Sequence, residues 1–245
     1  MIICQNLTRR KCKAGLYLCL LLLWTGPGWA DNIVVDKIYH PYVQPLEQEI
    51  EWRTLYQHSQ PFVADNTWLS QLAYGRSLND RWFVEAYLVG KRSDAQSLQV
   101  GAYELEAKWQ LTEQGEYWAD WALLFEFEHE THIDKEKFTT ALLLEKEWGR
   151  WSGTANVYLS NEWGADSTKA FETKLSMQAR YRYSKVFEPA LEFHSGRNTL
   201  GVGPAFLGQL PLNAGRRLNW EFGAIVGLDH KSPDHTFRLL LEYEF

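Results

Sequence analysis

The sequence predicts an all-β fold, a closed antiparallel up-and-down transmembrane β-barrel of 12 strands, with 10 as the alternative count. Three observations carry the prediction. Segments in which apolar and polar residues alternate recur along most of the chain, many of them about 10–13 residues long. That length suits a tilted crossing of a hydrocarbon band and exceeds ordinary soluble strands. Aromatic residues gather near the segment ends (Trp52, Trp68, Trp82, Trp109, Trp118, Trp148, Tyr183, Trp220), where interfacial girdles sit. The segment count is even, as closure of a single antiparallel chain requires when both termini lie on one side.

Residues 1–30 come first. Arg9, Arg10, Lys11 and Lys13 precede an apolar run from Ala14 to Trp24 and a small-residue exit, Gly26-Pro27-Gly28-Trp29-Ala30, the layout of a secretory signal cleaved after Ala30. The run is too short for a spanning helix, which takes about 20 residues. Cys4, Cys12 and Cys19 all lie in the signal, so the mature chain is expected to form no disulfide and to expose no thiol. Losing four basic residues and no acid takes the net charge from −6 to −10, and an acidic chain argues against a nucleic-acid partner. Residues 31–45, with Pro41 and Pro45 and no clean period, read as a periplasmic or lumen-lying lead-in, and 46–245 as the barrel.

The alternating segments fall near 46–57, 68–77, 81–91, 98–110, 117–129, 137–148, 153–160, 169–183, 186–194, 199–207, 217–228 and 235–245. Alternation is cleanest in 169–183, where Phe171, Leu175, Met177, Ala179 and Tyr181 oppose Glu172, Lys174, Gln178, Arg180 and Arg182. In 117–129, Trp121, Leu123, Phe125 and Phe127 oppose Asp120, Glu126 and Glu128. The 199–207 segment is the weak one, because Pro204 cannot donate to a ladder and Gly201 and Gly203 precede it; without it the count is ten. A soluble sandwich shows the same alternation, and aromatic placement, strand length and even count favour the membrane barrel over it. With a periplasmic N-terminus the odd-numbered connections point outward, and they read as longer on average than the others, as external loops are.

The chain closes on His235-Thr-Phe-Arg-Leu-Leu-Leu-Glu-Tyr-Glu-Phe245, with Phe237, Leu239, Leu241, Tyr243 and Phe245 on one face and Arg238, Leu240, Glu242 and Glu244 on the other. Alternation that ends on Phe resembles the terminal strand of bacterial outer-membrane β-barrels. Gly201-Val-Gly-Pro-Ala-Phe206 leading to Leu241-Glu-Tyr-Glu-Phe245 likewise resembles uncharacterised small porin- or transporter-like barrels. The resemblance implies residence in the bacterial outer membrane, lipid against the apolar face, and recognition of Tyr243 and Phe245 by the barrel-assembly machinery. It brings no substrate with it.

Chemistry is expected inside. Glu104, Glu106, Glu126, Glu128, Glu172, Arg180, Arg182, Glu192, Glu221, Arg238 and Glu242 are expected to line the lumen. An acid-rich lumen reads either as an open, cation-attracting channel or as an interlocked charge network filling a narrow barrel. Gly201, Gly203 and Ala205 beside Gly223, Ile225 and Gly227 form an inward small-residue patch, either a niche for a solute or for residues 31–45, or relief of curvature. His58, His129, His132, His194, His230 and His235 map to the external side, and His129/His132 are a candidate metal pair without a fixed ligand spacing. Catalysis is not expected. His194 and Ser195 point to opposite faces, His230/Asp234/His235 sit on loops too short for a cleft, and no cofactor motif is present. The reading is a narrow pore or transporter-like channel for a small solute or cation. The alternative is a closed accessory barrel acting through its loops, and a lipid- or peptide-modifying enzyme is the third.

Overall fold

A computed structural model describes residues 35–58, 66–93, 96–167, 169 and 171–245; the signal-like stretch 1–30 lies outside them. Twelve strands follow in chain order: β1 (Gln48–His58), β2 (Thr67–Ser77), β3 (Trp82–Ser93), β4 (Gln96–Gln110), β5 (Asp120–Glu130), β6 (Glu136–Trp148), β7 (Trp151–Trp163), β8 (Phe171–Tyr181), β9 (Glu188–Gly196), β10 (Thr199–Pro211), β11 (Arg217–Gly227) and β12 (His235–Glu244). Each pairs with its neighbours, and β1 pairs with β12 to close the ring. At that seam Glu49 stands opposite Glu244 and His58 opposite His235, antiparallel. Both strand ends Gln48 and Glu244 therefore share one rim.

The segment with Pro204 does span. It reaches Pro211, beyond the expected 207, because Pro204 points outward and its missing N–H falls on one side only. Toward β9 the ladder is unbroken, with Gly203 opposite Glu192 and Pro204 opposite Leu191. Toward β11 the pairing skips Gly203 and Pro204 without changing register. A Cβ on Gly203 would sit 1.9 Å from the Ala224 carbonyl oxygen, so only glycine lets the strands approach there.

The two faces of the wall settle its solvent. Leu72, Leu88, Leu105, Leu191, Val226 and Phe237 are exposed outside, whereas Glu49, Glu51, Arg53, Glu104, Glu192 and Arg238 are buried inside. A soluble sandwich would invert that arrangement; lipid outside and a closed ladder with no free edge make it stable. Aromatics ring both ends. Near the rim holding the termini, Trp82 stacks on Trp109 at 5.3 Å and Trp151 meets Tyr181 at 5.0 Å. At the far end Tyr56 meets Trp68 and Phe127 meets Trp163. Among the described residues no helix is long and apolar enough to cross a membrane. The expected asymmetry of loop length is not seen. The 111–119 connection, on the rim of the termini, is longer than 228–234 on the opposite side.

Candidate functional site: the occupied lumen and its vestibule

The lead-in threads the barrel. Val35, Ile38, Tyr39 and Val43 are buried, and because an irregular segment has no ladder of its own, wall side chains satisfy its backbone. Climbing from the rim of the termini, the Val43 N–H donates to Gln110 Oε1 at 2.6 Å, and the Tyr42 hydroxyl donates to Asp120 at 2.8 Å. His40 Nδ1 lies 2.6 Å from Glu145. Asn156 accepts from the Tyr39 N–H at 2.8 Å and returns a bond to its carbonyl at 2.9 Å. The Tyr39 ring packs with Ala122, Leu124, Ala141, Leu143 and Tyr158, and its hydroxyl donates to Glu106 at 2.5 Å.

Two adjacent charges anchor the upper end. Lys37 Nζ reaches Glu51 at 2.6 Å, donates to the Tyr87 hydroxyl at 2.9 Å and stands 3.6 Å from Glu85. The Asp36 carboxylate accepts from Arg53, and the Asp36 carbonyl accepts from Arg238. Arg53 and Arg238 have no exposed side-chain surface.

The structure places the charged wall residues in three tiers. In the lowest, Glu106, Arg180, Glu221 and Glu242 border an open vestibule beside the lead-in, while Arg182 pairs with Glu147 at the rim. In the middle, Arg238 bonds Glu192 at 2.8 Å and Glu221 at 3.3 Å. Higher up, Lys137 bridges Glu126, at 3.1 Å, and Glu128, and Arg197 holds Glu172 at 3.0 Å. The Glu104, Glu106 and Glu126 carboxylate oxygens lie within 4.8 Å of one another, as do those of Glu49, Glu51 and Glu242. Lys137 serves the first group and Lys37 the second.

One histidine moves. His194 is not at the external rim; it is fully buried in the wall's inner face. Strand β9 runs on to Gly196 and continues to pair, His194 with Ser176 on β8 and with Gly201 on β10. Its Nδ1 is 3.1 Å from Ser176 Oγ and its Nε2 is 3.3 Å from Glu192. The serine that meets this histidine is therefore Ser176, across the sheet, not Ser195. Both are sealed from solvent. At the external end His129 lies 3.7 Å from Glu136 and His132 is exposed; neither joins a group of three candidate ligands among the described residues. On the 228–234 loop, the Ser232 hydroxyl, with the Lys231 and Ser232 N–H groups, holds the Asp229 carboxyl below its usual range.

Sequence reasoning missed Asp36, Lys37, Tyr39, Tyr87 and Asn156. Its one available signal was the Asp36-Lys37 pair inside an otherwise unpatterned stretch. The small-residue patch splits in two. A Cβ on Gly203 would meet backbone, whereas one on Gly223 would have its nearest contact at 3.6 Å, facing Glu192 and Arg238.

The vestibule measures about 410 Å³. Eight glutamates line it, Glu47, Glu49, Glu85, Glu106, Glu188, Glu221, Glu242 and Glu244, against Lys37, Lys108, Arg180 and Lys185. Acidic side chains outnumber basic ones two to one along this lining.

No protein-family model and no curated protein sequence matches the chain. Solved structures do. The KdgM porin in complex with disordered oligogalacturonate is similar over 80% of this chain and 99% of its own, with a TM-score of 0.54 and 12% identity. The COG4313 outer membrane channel from Pseudomonas putida F1 is similar over 86% and 98%, with a TM-score of 0.53 and 15% identity. The fold is that of small outer-membrane porins. The apolar belt and polar interior agree with it, and the bacterial outer membrane is the place such a wall fits.

Proposed function

We propose that this chain is an outer-membrane channel for a small solute or cation, narrow because residues 35–45 occupy its lumen and cation-preferring because glutamates dominate its vestibule. The observation that carries the reading is the 410 Å³ acid-lined mouth beside a lead-in docked on the inner wall. The porin and channel folds it resembles support a passive role rather than an enzymatic one. Beside the vestibule, Tyr39, Lys37 and Asp36 tie the lead-in to the inner wall, so full-width conduction requires the lead-in to shift or leave. Cations gather first among Glu221, Glu242 and Glu244 and pass upward when it does.

A second reading, a closed barrel that acts through its loops, is favoured by the ion pairs that fill the upper lumen. Planar-bilayer recordings separate the two. The mature chain should give small cation-selective steps, and a variant lacking residues 35–45 should give larger ones of the same selectivity. Silence from both, with each protein still heat-modifiable on a gel, would establish the closed barrel instead.

A further inference from the structure

The wall carries a second hollow, of about 450 Å³, lined mainly by outward-facing residues of β2–β6. Its floor is made by small side chains, Ala86 on β3 and Ala107 on β4, with Val84 between them across the pairing Val84–Ala107. Large side chains stand around it. Tyr74 lies opposite Ala86, Phe125 opposite Ala107 and Phe127 opposite Leu105. Trp82, Leu88, Leu105 and Trp109 continue the outward rows of β3 and β4 beside it, so the trough is a dent between bulkier side chains. A cavity of this size is in the range of sites that hold a small ligand.

At the end of the trough nearest the termini stands Arg76. It is exposed, shares the outward row of β2 with Tyr74, and pairs across the backbone with Gln48 at the first turn of the barrel. Among the described residues its guanidinium has no hydrogen bond or ion pair. An unpaired cation on the lipid-facing side would be a liability within the hydrocarbon, but at the interface it is where a phosphate sits. The stacked pair Trp82–Trp109, with Phe125 a further 6.4 Å from Trp82, marks the same interface.

We propose that this trough binds one glycerophospholipid of the leaflet on the side of the termini, its acyl chain lying over Ala86 and Ala107 and its anionic phosphate on Arg76. Charge complementarity selects a phospholipid over a neutral apolar occupant, and the trough's apolar walls exclude a free phosphate. The bound lipid would belong to the wall and would not pass through the channel.

Native mass spectrometry of the full chain in detergent, titrated with dioleoyl phosphatidylglycerol, tests this. The wild type should retain one lipid. Arg76→Glu should weaken retention about tenfold, the size of one reversed interfacial charge. Ala107→Trp, which fills the floor, should abolish it, and Ala179→Trp, on the outward face of β8, should leave it unchanged. Equal retention by the wild type and Ala107→Trp would overturn the proposal. So would a lipid-free wild-type dimer that Ala107→Trp dissociates, since a second copy would then occupy the face. If Ala107→Trp fails to fold, Arg76→Glu decides alone, because an exposed rim arginine is not needed for closure.

Discussion

Truncating Tyr39 to alanine should free the lead-in while leaving the barrel closed. The ring is buried against Ala122, Leu124, Ala141, Leu143 and Tyr158, and the hydroxyl donates to Glu106. Burial of an aromatic side chain stabilises by about 2–3 kcal/mol, and a hydrogen bond to a carboxylate adds about 1–1.5 kcal/mol. Because water enters the space once the segment leaves, no dry cavity remains to add a further penalty. The loss of about 3–4 kcal/mol shifts the docked-to-free ratio by on the order of 10²–10³-fold. Tyr39→Phe, which keeps the ring, should shift it only about tenfold. The assay pairs single-channel recording with labelling of Ile38→Cys by a water-soluble thiol reagent, since Ile38 is buried in the docked state. Labelling should accelerate, and full-size openings become frequent, in the order wild type, Tyr39→Phe, Tyr39→Ala. Unchanged labelling and conductance in a heat-modifiable Tyr39→Ala protein would refute the idea that this ring anchors the segment.

Three further outcomes follow from the same geometry. Glu221→Gln with Glu242→Gln removes two vestibule carboxyls and should lower the cation-to-anion permeability ratio, read as a reversal potential moving toward zero in a salt gradient; an unmoved potential removes these two groups from the permeation path. Gly203→Val forces a Cβ onto the Ala224 carbonyl and should prevent closure between β10 and β11, visible as loss of heat-modifiability, whereas Gly223→Ala, with its nearest contact at 3.6 Å, should assemble normally. Phe245 stacks near Tyr243 at 5.7 Å and its N–H donates to the Gln48 carbonyl at 2.9 Å, across the closing seam. Its deletion should slow assembly into the outer membrane in cells, while Phe245→Trp restores the rate; equal slowing by both would count against an aromatic terminal signal.

The wall was legible because a membrane strand writes its burial as a period of two, and a residue's face follows from parity alone. Parity put Glu104, Glu126 and Glu172 inside and Phe237 and Tyr243 outside before any pairing was known. It carries no information on register, and that is where His194 was lost. Parity gives the face of a residue near a strand end but not how far the neighbours extend; Ser176 and Gly201 continue the ladder around His194 and seal it. Pro204 lent weight to the alternative of ten strands, yet a proline's missing donor costs a strand only if both sides need it, and here one side already lapses. The contacts of the lead-in were illegible for a plainer reason. A segment held by Asn156, Gln110 and Glu106 borrows its hydrogen bonds from distant strands, so nothing in its own composition repeats.

What holds that segment is a question of magnitudes. Asp36 and Lys37 make the most conspicuous contacts, to Arg53 and Glu51. Yet buried ion pairs roughly break even, since the attraction must repay the loss of water around both charges. When the lead-in leaves, water rehydrates Arg53 and Glu51, so the pairs cost little to break. The apolar contacts of Val35, Ile38 and Tyr39 have no such replacement, because water is the poorer solvent for them. Ionic contacts would then set where the segment sits and apolar contacts how firmly. The combined variant Asp36→Asn, Lys37→Met keeps the shape and removes both charges. It should speed labelling at Ile38→Cys by less than tenfold, well below the effect of Tyr39→Ala. If the charge variant instead released the segment as fully as Tyr39→Ala, the docking would be ionic, and its strength should then fall steeply with added salt.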